Sequence, residues 1–496
     1  MKLTILNKPL SGITEKLFIT GMFEGDDLQG SEIKQINDLT SNALENAFNS
    51  DLFSGKNGQS IVLTSTGSQG PSQVLLVGLG KRKKITEEKI RRAFGDAGKF
   101  ARGKGNVDVV VLPLFVEDDS TFVIPALEGV ALAMYRFVRH SKNLDKKPIL
   151  NELKVIAPLG FDKNIFGQLV HDAEATITGN YFARDLATMP GMDLYPESYG
   201  NMAKELAGGD LKVEVIPHTK LEEMGMGALL AVGQGSAHKP VLIHMIYDPD
   251  PSRKKKTLAL IGKGVTFDSG GLDIKPAAGM RDMKIDMAGS AAVMGIFKVL
   301  NQWKPDLRVE GFIGAAENMT GSFAYRPGDI LTSYKGLTIE VDNTDAEGRL
   351  TMADALAYAV EKANPDAIID LATLTGACWI ALGHHATGLM GTSNELRDLL
   401  AESGTLTGER VWELPLWDEY SEQIKSEVAD MKNTGGRPGG ASTAGAFLKE
   451  YVDDVPWVHL DIAGTASEVP VSYVPHKELA TGVGVRLLLD FMRRWQ

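Results

Sequence analysis

Short apolar runs that end in glycine limit what this chain can fold into. Residues 73–80 (Gln-Val-Leu-Leu-Val-Gly-Leu-Gly) and 257–261 (Thr-Leu-Ala-Leu-Ile, followed at once by Gly262) are almost continuously apolar. Strands of that kind are covered on both faces, and helices supply the cover. Residues 86–104 carry Ile90, Phe94, Ala97 and Phe100 at helical spacing, and residues 288–303 read as a helix behind the second run. Alternation of this type predicts an α/β protein.

The first third continues the pattern. The N-terminal residues 1–8 alternate like a strand. Residues 16–20, 107–112 and 153–157 read as further strands, and 126–140 as a helix. The sheet is expected to be mostly parallel, and the region holds no acid pair, histidine cluster or phosphate loop. Residues 166–188 have helical spacing without an internal proline, until Pro190-Gly191 punctuates. The expected division is a domain over 1–165, a connecting helix over 166–189 and a second domain over 190–496. In the second domain, 199–207, 220–230 and 483–495 read as helices. Strands are expected at 211–216, 240–247, 308–316, 334–340, 367–372 and 457–462. The fold class is therefore α/β with two domains: a smaller N-terminal one, and a larger C-terminal one with a central mixed sheet flanked by helices.

Composition narrows the function. With 496 residues, two to four domains of ordinary size are expected. No apolar run reaches the roughly 18 residues of a membrane-spanning helix, and no secretory signal is read at the N-terminus. The single cysteine, Cys378, excludes an internal disulfide and a cysteine metal cluster, which suits a reducing cytoplasm. A formal charge of −12 argues against general nucleic-acid binding. The basic runs 81–84 and 253–256 read as solvated loops.

Chemistry concentrates in two motifs. Asn343-Thr344-Asp345-Ala346-Glu347-Gly348-Arg349-Leu350 lies between a strand and a helix over 350–360. Two acids one residue apart at a strand end point to the same side. Like charges held together need a reason, and a cation is one; the bland alternative is a turn with Thr344 or Asp345 as helix cap. The second motif, Gly262-Lys263-Gly264-Val265-Thr266-Phe267-Asp268-Ser269-Gly270-Gly271, is neither a P-loop nor a dinucleotide fingerprint. It presents a Lys and an Asp between glycines, and Lys275, Lys284 and Asp286 follow. Asp268, Asp286, Asp345 and Glu347 carry four negative charges when ionised, matching two divalent ions about 3.5–4 Å apart. With no Cys or His offered, oxygen ligation suits Mg²⁺ or Mn²⁺, and Zn²⁺ in a catalytic site. Beside two cations Lys263 would lose its proton easily and could itself be a ligand, Lys275 could face a developing oxyanion, and Arg349 could hold an anion. His384-His385 read as surface or packing residues. The glycine-rich stretch 433–442 reads as a flexible loop lining a cleft.

These residues resemble the leucine aminopeptidases, also called cytosol aminopeptidases. The octapeptide 343–350 looks like the family's signature and 262–271 like its second motif. Lys275, Met283, Lys284 and Asp286 sit at matching offsets, as do Thr373-Leu374-Thr375-Gly376-Ala377 and His459-Leu460-Asp461-Ile462-Ala463-Gly464. The match covers Pro190 to the C-terminus; the first third matches in architecture and length only. The resemblance implies that the larger domain is catalytic and holds two divalent metals, Mn²⁺ or Zn²⁺ with Mg²⁺ also open. Lys263, Asp268, Asp286 and Glu347 would hold the tighter ion. Asp268, Asp345 (side chain and carbonyl) and Glu347 would hold the more exchangeable one. Lys275 and Arg349 would be catalytic, with a bicarbonate near Arg349. Met283, Asn343, Thr373, Leu374, Gly376 and Ala463 would line the substrate pocket, and Ala466 stands where some relatives carry a larger Met. It further implies a cytoplasmic homohexamer acting on peptides without membrane or nucleic-acid partners. The expected reaction is release of N-terminal residues, Leu and other apolar ones favoured, by attack of a metal-bridged hydroxide. Two rivals stand beside it: a metal-dependent phosphoesterase, and a non-enzymatic hexameric scaffold or DNA-binding protein.

Overall fold

The computed structural model describes all residues except 67–69, 106–107, 114–119, 141, 143–147 and 475–478. The chain divides into two compact units: Met1–Tyr181 with Leu406–Gly408 and Pro470–His476, and Phe182–Thr405 with Glu409–Val469 and Lys477–Gln496. The division falls inside one helix, Lys163–Thr188, which covers the stretch expected as a connector.

The first unit is built on six strands: β1 (Lys2–Ile5), β2 (Leu17–Phe23), β3 (Ser60–Thr64), β4 (Gln73–Gly80), β5 (Val109–Leu112) and β6 (Glu152–Val155). They lie in the order β1-β6-β5-β2-β4-β3, all parallel except the β3–β4 pair. Alternate residues serve opposite faces. Val109 and Val111 enter one apolar core with Leu17 and Ile19, and Val110 and Leu112 enter another with Phe18. Two-sided burial is why these runs read as continuously apolar. The helix expected over 126–140 is Val123–Met134, ending where Tyr135 turns extended, and Val107 lies outside the described residues. The helices Ser31–Leu39 and Ala43–Asn49 carry no expectation from sequence.

The second unit carries β7 (Leu211–Ile216), β8 (Val241–Tyr247), β9 (Thr257–Gly262), β10 (Gly264–Asp268), β11 (Arg308–Asn318), β12 (Ile330–Thr332), β13 (Thr338–Glu340), β14 (Ala367–Ala372), β15 (Thr387–Gly391), β16 (Val411–Glu413), β17 (Met431–Lys432) and β18 (Trp457–Asp461). The central sheet is mixed, in the order β16-β15-β18-β14-β9-β11-β8-β7, with β10 also on β11; β12, β13 and β17 form a small separate sheet. β9, β10, β11, β14 and β18 run parallel, so their carboxyl ends share one edge, where α/β folds bind ligands.

Glycine allows the helix Ala288–Trp303 to lie close on that edge. A Cβ at Gly289 would fall 2.0 Å from Leu371 O, and one at Gly262 would fall 2.3 Å from Ser290 Cα.

Several expectations change here. The helix expected over 220–230 is two, His218–Met224 and Gly227–Gly233, because Gly225 adopts φ +74° and ends the first. The strand expected over 334–340 is only β13, and it belongs to the small sheet. The following helix is Gly348–Ala363, and neither Thr344 nor Asp345 caps it; Glu347 occupies that position without a capping hydrogen bond. In the basic run 253–256, Lys255 is turned inward, its side chain 3% exposed and 3.4 Å from Asp248. Among the described residues no helix is long and apolar enough to cross a membrane.

Candidate metal centre

β9 and β10 pair with the same neighbour, β11, and Lys263 occupies the break between them. Its backbone N–H donates to Leu371 O at 3.0 Å, and its carbonyl accepts from Ser290 N at 3.1 Å. Anchored on both sides, the side chain turns into the protein. Its ammonium lies 2.7 Å from Asp286 Oδ2, 2.8 Å from Glu347 Oε1 and 2.9 Å from Thr373 O. Asp268, the last residue of β10, accepts from Gly270 N and Asn318 Nδ2, both at 2.8 Å, and meets the Lys275 ammonium at 2.8 Å. That ammonium also reaches Asp345 Oδ1 at 2.5 Å. Asp286 does not cap the following helix, whose cap position is Met287; its Oδ1 accepts from Thr373 Oγ1 at 2.8 Å.

Asp345 and Glu347 do not face one side by strand alternation. Glu347 is already helical in backbone (φ −77°, ψ −32°), and its side chain is 1% exposed against 33% for that of Asp345. Glu347 turns to Lys263 and Asp345 to Lys275. Carboxylate oxygens of Asp268, Asp286 and Glu347 lie within 4.8 Å of one another.

Four carboxylates thus face two ammonium groups, leaving two negative charges in excess in a buried space. Burial, and repulsion from Glu347 and Asp268, push the Asp286 carboxyl well above its usual range despite Lys263. Burial also raises Asp268 and Asp345. At Lys263 burial favours the neutral amine, but Asp286, Glu347 and Asp268 outweigh it and raise the pKa. Against protein groups alone, then, Lys263 keeps its proton, and only competing cations would displace it. Several oxygens remain poorly used. Asp286 Oδ2, Asp345 Oδ1 and Glu347 Oε1 lie at ion-pair distance from an ammonium without hydrogen-bond alignment, and Glu347 Oε2 has no hydrogen-bond partner among the described residues. Excess buried charge and unpartnered carboxylate oxygens, with one amine alongside, fit hard or borderline divalent cations.

Arg349 lies one turn into the helix that follows. It is buried, and burial lowers its pKa to about 10 against the opposing pull of Glu347 and Asp461. Its Nη1 donates to Asn433 O at 2.6 Å, while Nε has no partner among the described residues.

The expected pocket residues divide in their contacts. Thr373 touches both Asp286 and Lys263. Leu374 N and Ala463 N donate to the same oxygen of Asp461, at 3.3 and 3.1 Å. Asn343 Oδ1 accepts from Asp345 N at 2.7 Å. Met283 lies on the 3-10 turn before Asp286, and Gly376 opens the short helix Gly376–Leu382. His384 is bound to Gly464 O and to Trp379, away from the carboxylates, as a packing residue would be.

Sequence reading missed the residues that hold the motif loops. Asp273 Oδ2 accepts from Thr344 N at 2.8 Å, and Thr344 Oγ1 accepts from Asp273 N at 2.9 Å. Asn318 Nδ2 and Tyr325 Oη donate to Thr344 O at 3.0 and 2.7 Å. The stretch expected as a flexible loop begins at Asn433, which is fully buried and hydrogen-bonded through every polar atom. Only its position just before a glycine-rich run could have drawn notice.

Comparison with known proteins agrees with this arrangement. Residues 181–489 match the cytosol aminopeptidase family, catalytic domain, and residues 19–143 match the same family's N-terminal domain. A probable cytosol aminopeptidase of Desulfotalea psychrophila is 44% identical over 455 residues, covering 89% of this chain and 90% of its own. Another, from Roseiflexus castenholzii, is 42% identical over 505 residues, covering 100% and 99%. Among solved structures, a mutant of tomato leucine aminopeptidase superposes with a TM-score of 0.86 at 33% identity, over 100% of this chain and 96% of that one. The bottromycin maturation enzyme BotP in complex with Mn gives 0.83 at 31% identity, over 97% and 100%. The chain belongs to the cytosol aminopeptidase family.

Proposed function

We propose that this metal-dependent aminopeptidase releases N-terminal residues from peptides, leucine and other apolar ones favoured, with two divalent ions held by the buried carboxylates. Lys263, Asp268, Asp286 and Glu347 hold the tighter ion; Asp268, Asp345 and Glu347 hold the other. Mn²⁺ and Zn²⁺ suit this donor set best. The observation that carries the reading is the excess of buried negative charge around Glu347, whose Oε2 is unpartnered. When bound, the ions polarise the scissile carbonyl and make water acidic enough to attack at neutral pH.

The chain's own residues do the rest. Lys275 presents its ammonium between Asp268 and Asp345, where it meets the charge that develops on the substrate carbonyl oxygen. Arg349 offers its free Nε edge to a bicarbonate, which takes the proton from the attacking water. Met283, Asn343, Thr373, Leu374, Gly376 and Ala463 shape the pocket for the first side chain. The protein works in the cytoplasm as a homohexamer, in keeping with large apolar side chains left exposed on the single chain, such as Met192 (81%), Phe323 (80%) and Trp412 (66%). Phosphoester hydrolysis is less favoured, because Lys263 and Lys275 are committed to carboxylates rather than free for phosphate.

Glu347→Ala tests the reading. The variant should keep its circular dichroism spectrum and lose hydrolysis of leucine-p-nitroanilide; turnover near that of the wild type would remove Glu347 from the metal site.

A further inference from the structure

Asn433 ends β17 just beyond the point where the short parallel ladder between β13 and β17 stops, at Glu340 and Lys432. Its own N–H donates to Glu340 O at 3.0 Å, the last main-chain bond of that ladder. From there its side-chain amide takes over. Oδ1 accepts from Asp342 N at 2.8 Å and Asn343 N at 3.2 Å. Nδ2 donates to Asn343 O at 2.6 Å and to Ala346 O at 3.4 Å. One primary amide thus replaces a peptide unit of the missing strand, holding the backbone that leads to Asp345 and Glu347. The main-chain carbonyl of the same residue accepts from Arg349 Nη1 at 2.6 Å. The residue is fully buried, so no water competes for these bonds.

We infer that Asn433 is a positioning residue for the reaction, setting the carboxylates of Asp345 and Glu347 and the guanidinium of Arg349 in one frame. The inference rests on the proposed peptidase function. Asn is suited to the task because only a primary amide offers both an acceptor and two donors at this length. Ala would leave two N–H groups and two carbonyls of the metal-binding loop without their partner. Asp would keep the acceptor, turn repulsive toward the carbonyls of Asn343 and Ala346, and draw Arg349 toward a new charge.

The test compares Asn433→Ala and Asn433→Asp with the wild type and with Asn37→Ala. Asn37 is another Asn that ties down a turn, in the other unit, through Asn42 Oδ1 and Glu45 N, far in sequence from the motifs. Three readouts are taken: the thermal midpoint, Mn²⁺ affinity by chelator competition, and kcat and KM on leucine-p-nitroanilide at saturating Mn²⁺. Residues that orient metal ligands typically change affinity or activity by about 10–100-fold. Both Asn433 variants should lose kcat by that factor with KM within about threefold, and should bind Mn²⁺ about tenfold or more weakly. Asn37→Ala should lower only the midpoint. If Asn433→Ala does not fold, Asn433→Asp, which keeps the shape, carries the test. Wild-type kcat and Mn²⁺ affinity in either folded Asn433 variant would overturn the inference. An inactive wild type would instead overturn the peptidase reading beneath it.

Discussion

One methyl group placed at Gly348 probes the carboxylate site more sharply than removal of a charge. A Cβ there would stand 2.4 Å from Cε of Lys263 and 2.7 Å from both its Cδ and its Nζ. Carbon atoms in contact need about 3.5–4.0 Å, so the lysine end must retreat by roughly 1 Å or more. It has little slack, because the ammonium is bound to Asp286, Glu347 and Thr373 O at 2.7 to 2.9 Å. Each charged hydrogen bond lost costs about 1.5–3 kcal/mol. Ala replacing Gly returns at most about 1 kcal/mol of helix propensity. The net loss of about 2–4 kcal/mol falls on the site, which corresponds to roughly 30- to 1000-fold. Gly348→Ala should therefore remain folded while Mn²⁺ affinity and kcat/KM on leucine-p-nitroanilide fall by a factor in that range. A misplacement of about 1 Å in a catalytic arrangement is known to cost around 100-fold, within the same range. The assays are chelator competition, steady-state kinetics and a thermal melt. Values within about threefold of the wild type would refute the reasoning, because they would mean that Lys263 does not need its place.

Three further outcomes are expected. Arg349→Ala should lose kcat by about 100-fold, as for a proton-transfer arrangement, with metal content unchanged by elemental analysis; loss of both metals would contradict its role as an anion holder. Asp461→Ala removes the acceptor shared by Leu374 N, Ala463 N and Thr375 Oγ1, at 3.3, 3.1 and 2.7 Å, and should raise KM by roughly tenfold without loss of metal; an unchanged KM would free the pocket from Asp461. Asp354 is buried in the helix after the motif, and burial raises its pKa to about 7 against the backbone N–H groups of Leu229 and Tyr334. An unfolded Asp titrates near 4, so the folded protein holds this proton more tightly. The stability it contributes is full below about pH 4 and is lost as pH rises to about 7, on the order of 4 kcal/mol at most. The difference in urea stability between wild type and Asp354→Asn should shrink over that window, and a pH-independent difference would contradict the assignment.

Much of this was legible because the chemistry is local in sequence. Lys263 and Asp268 flank the same short strand, and Asp345, Glu347 and Arg349 lie within one turn, so charge and glycine spacing marked them. The two-sided burial of β4, β5 and β9 likewise shows as unbroken apolar runs. What escaped was of two kinds. Local backbone choices escaped where one residue overrode the periodicity: Gly225 splits a helix, and Glu347 turns helical where strand alternation was expected. Supporting contacts escaped because their partners are main-chain atoms. Asn318, Asp273 and Asn433 hold the loops through N–H and C=O groups that every residue possesses, so their side chains leave no complementary mark in the sequence. Gly348 was visible as a motif letter, but its reason, the Lys263 side chain against its Cα, exists only in three dimensions.

The most direct test of the two-ion account is a stoichiometric titration. Protein stripped of metal is reloaded with Mn²⁺ in steps, and bound metal per chain is followed together with release of p-nitroaniline from the leucine anilide. The account predicts no hydrolysis by the stripped chain and a rise that reaches its plateau at two bound ions per chain. Full hydrolysis by the stripped protein, or a plateau reached with no ion retained, would contradict it.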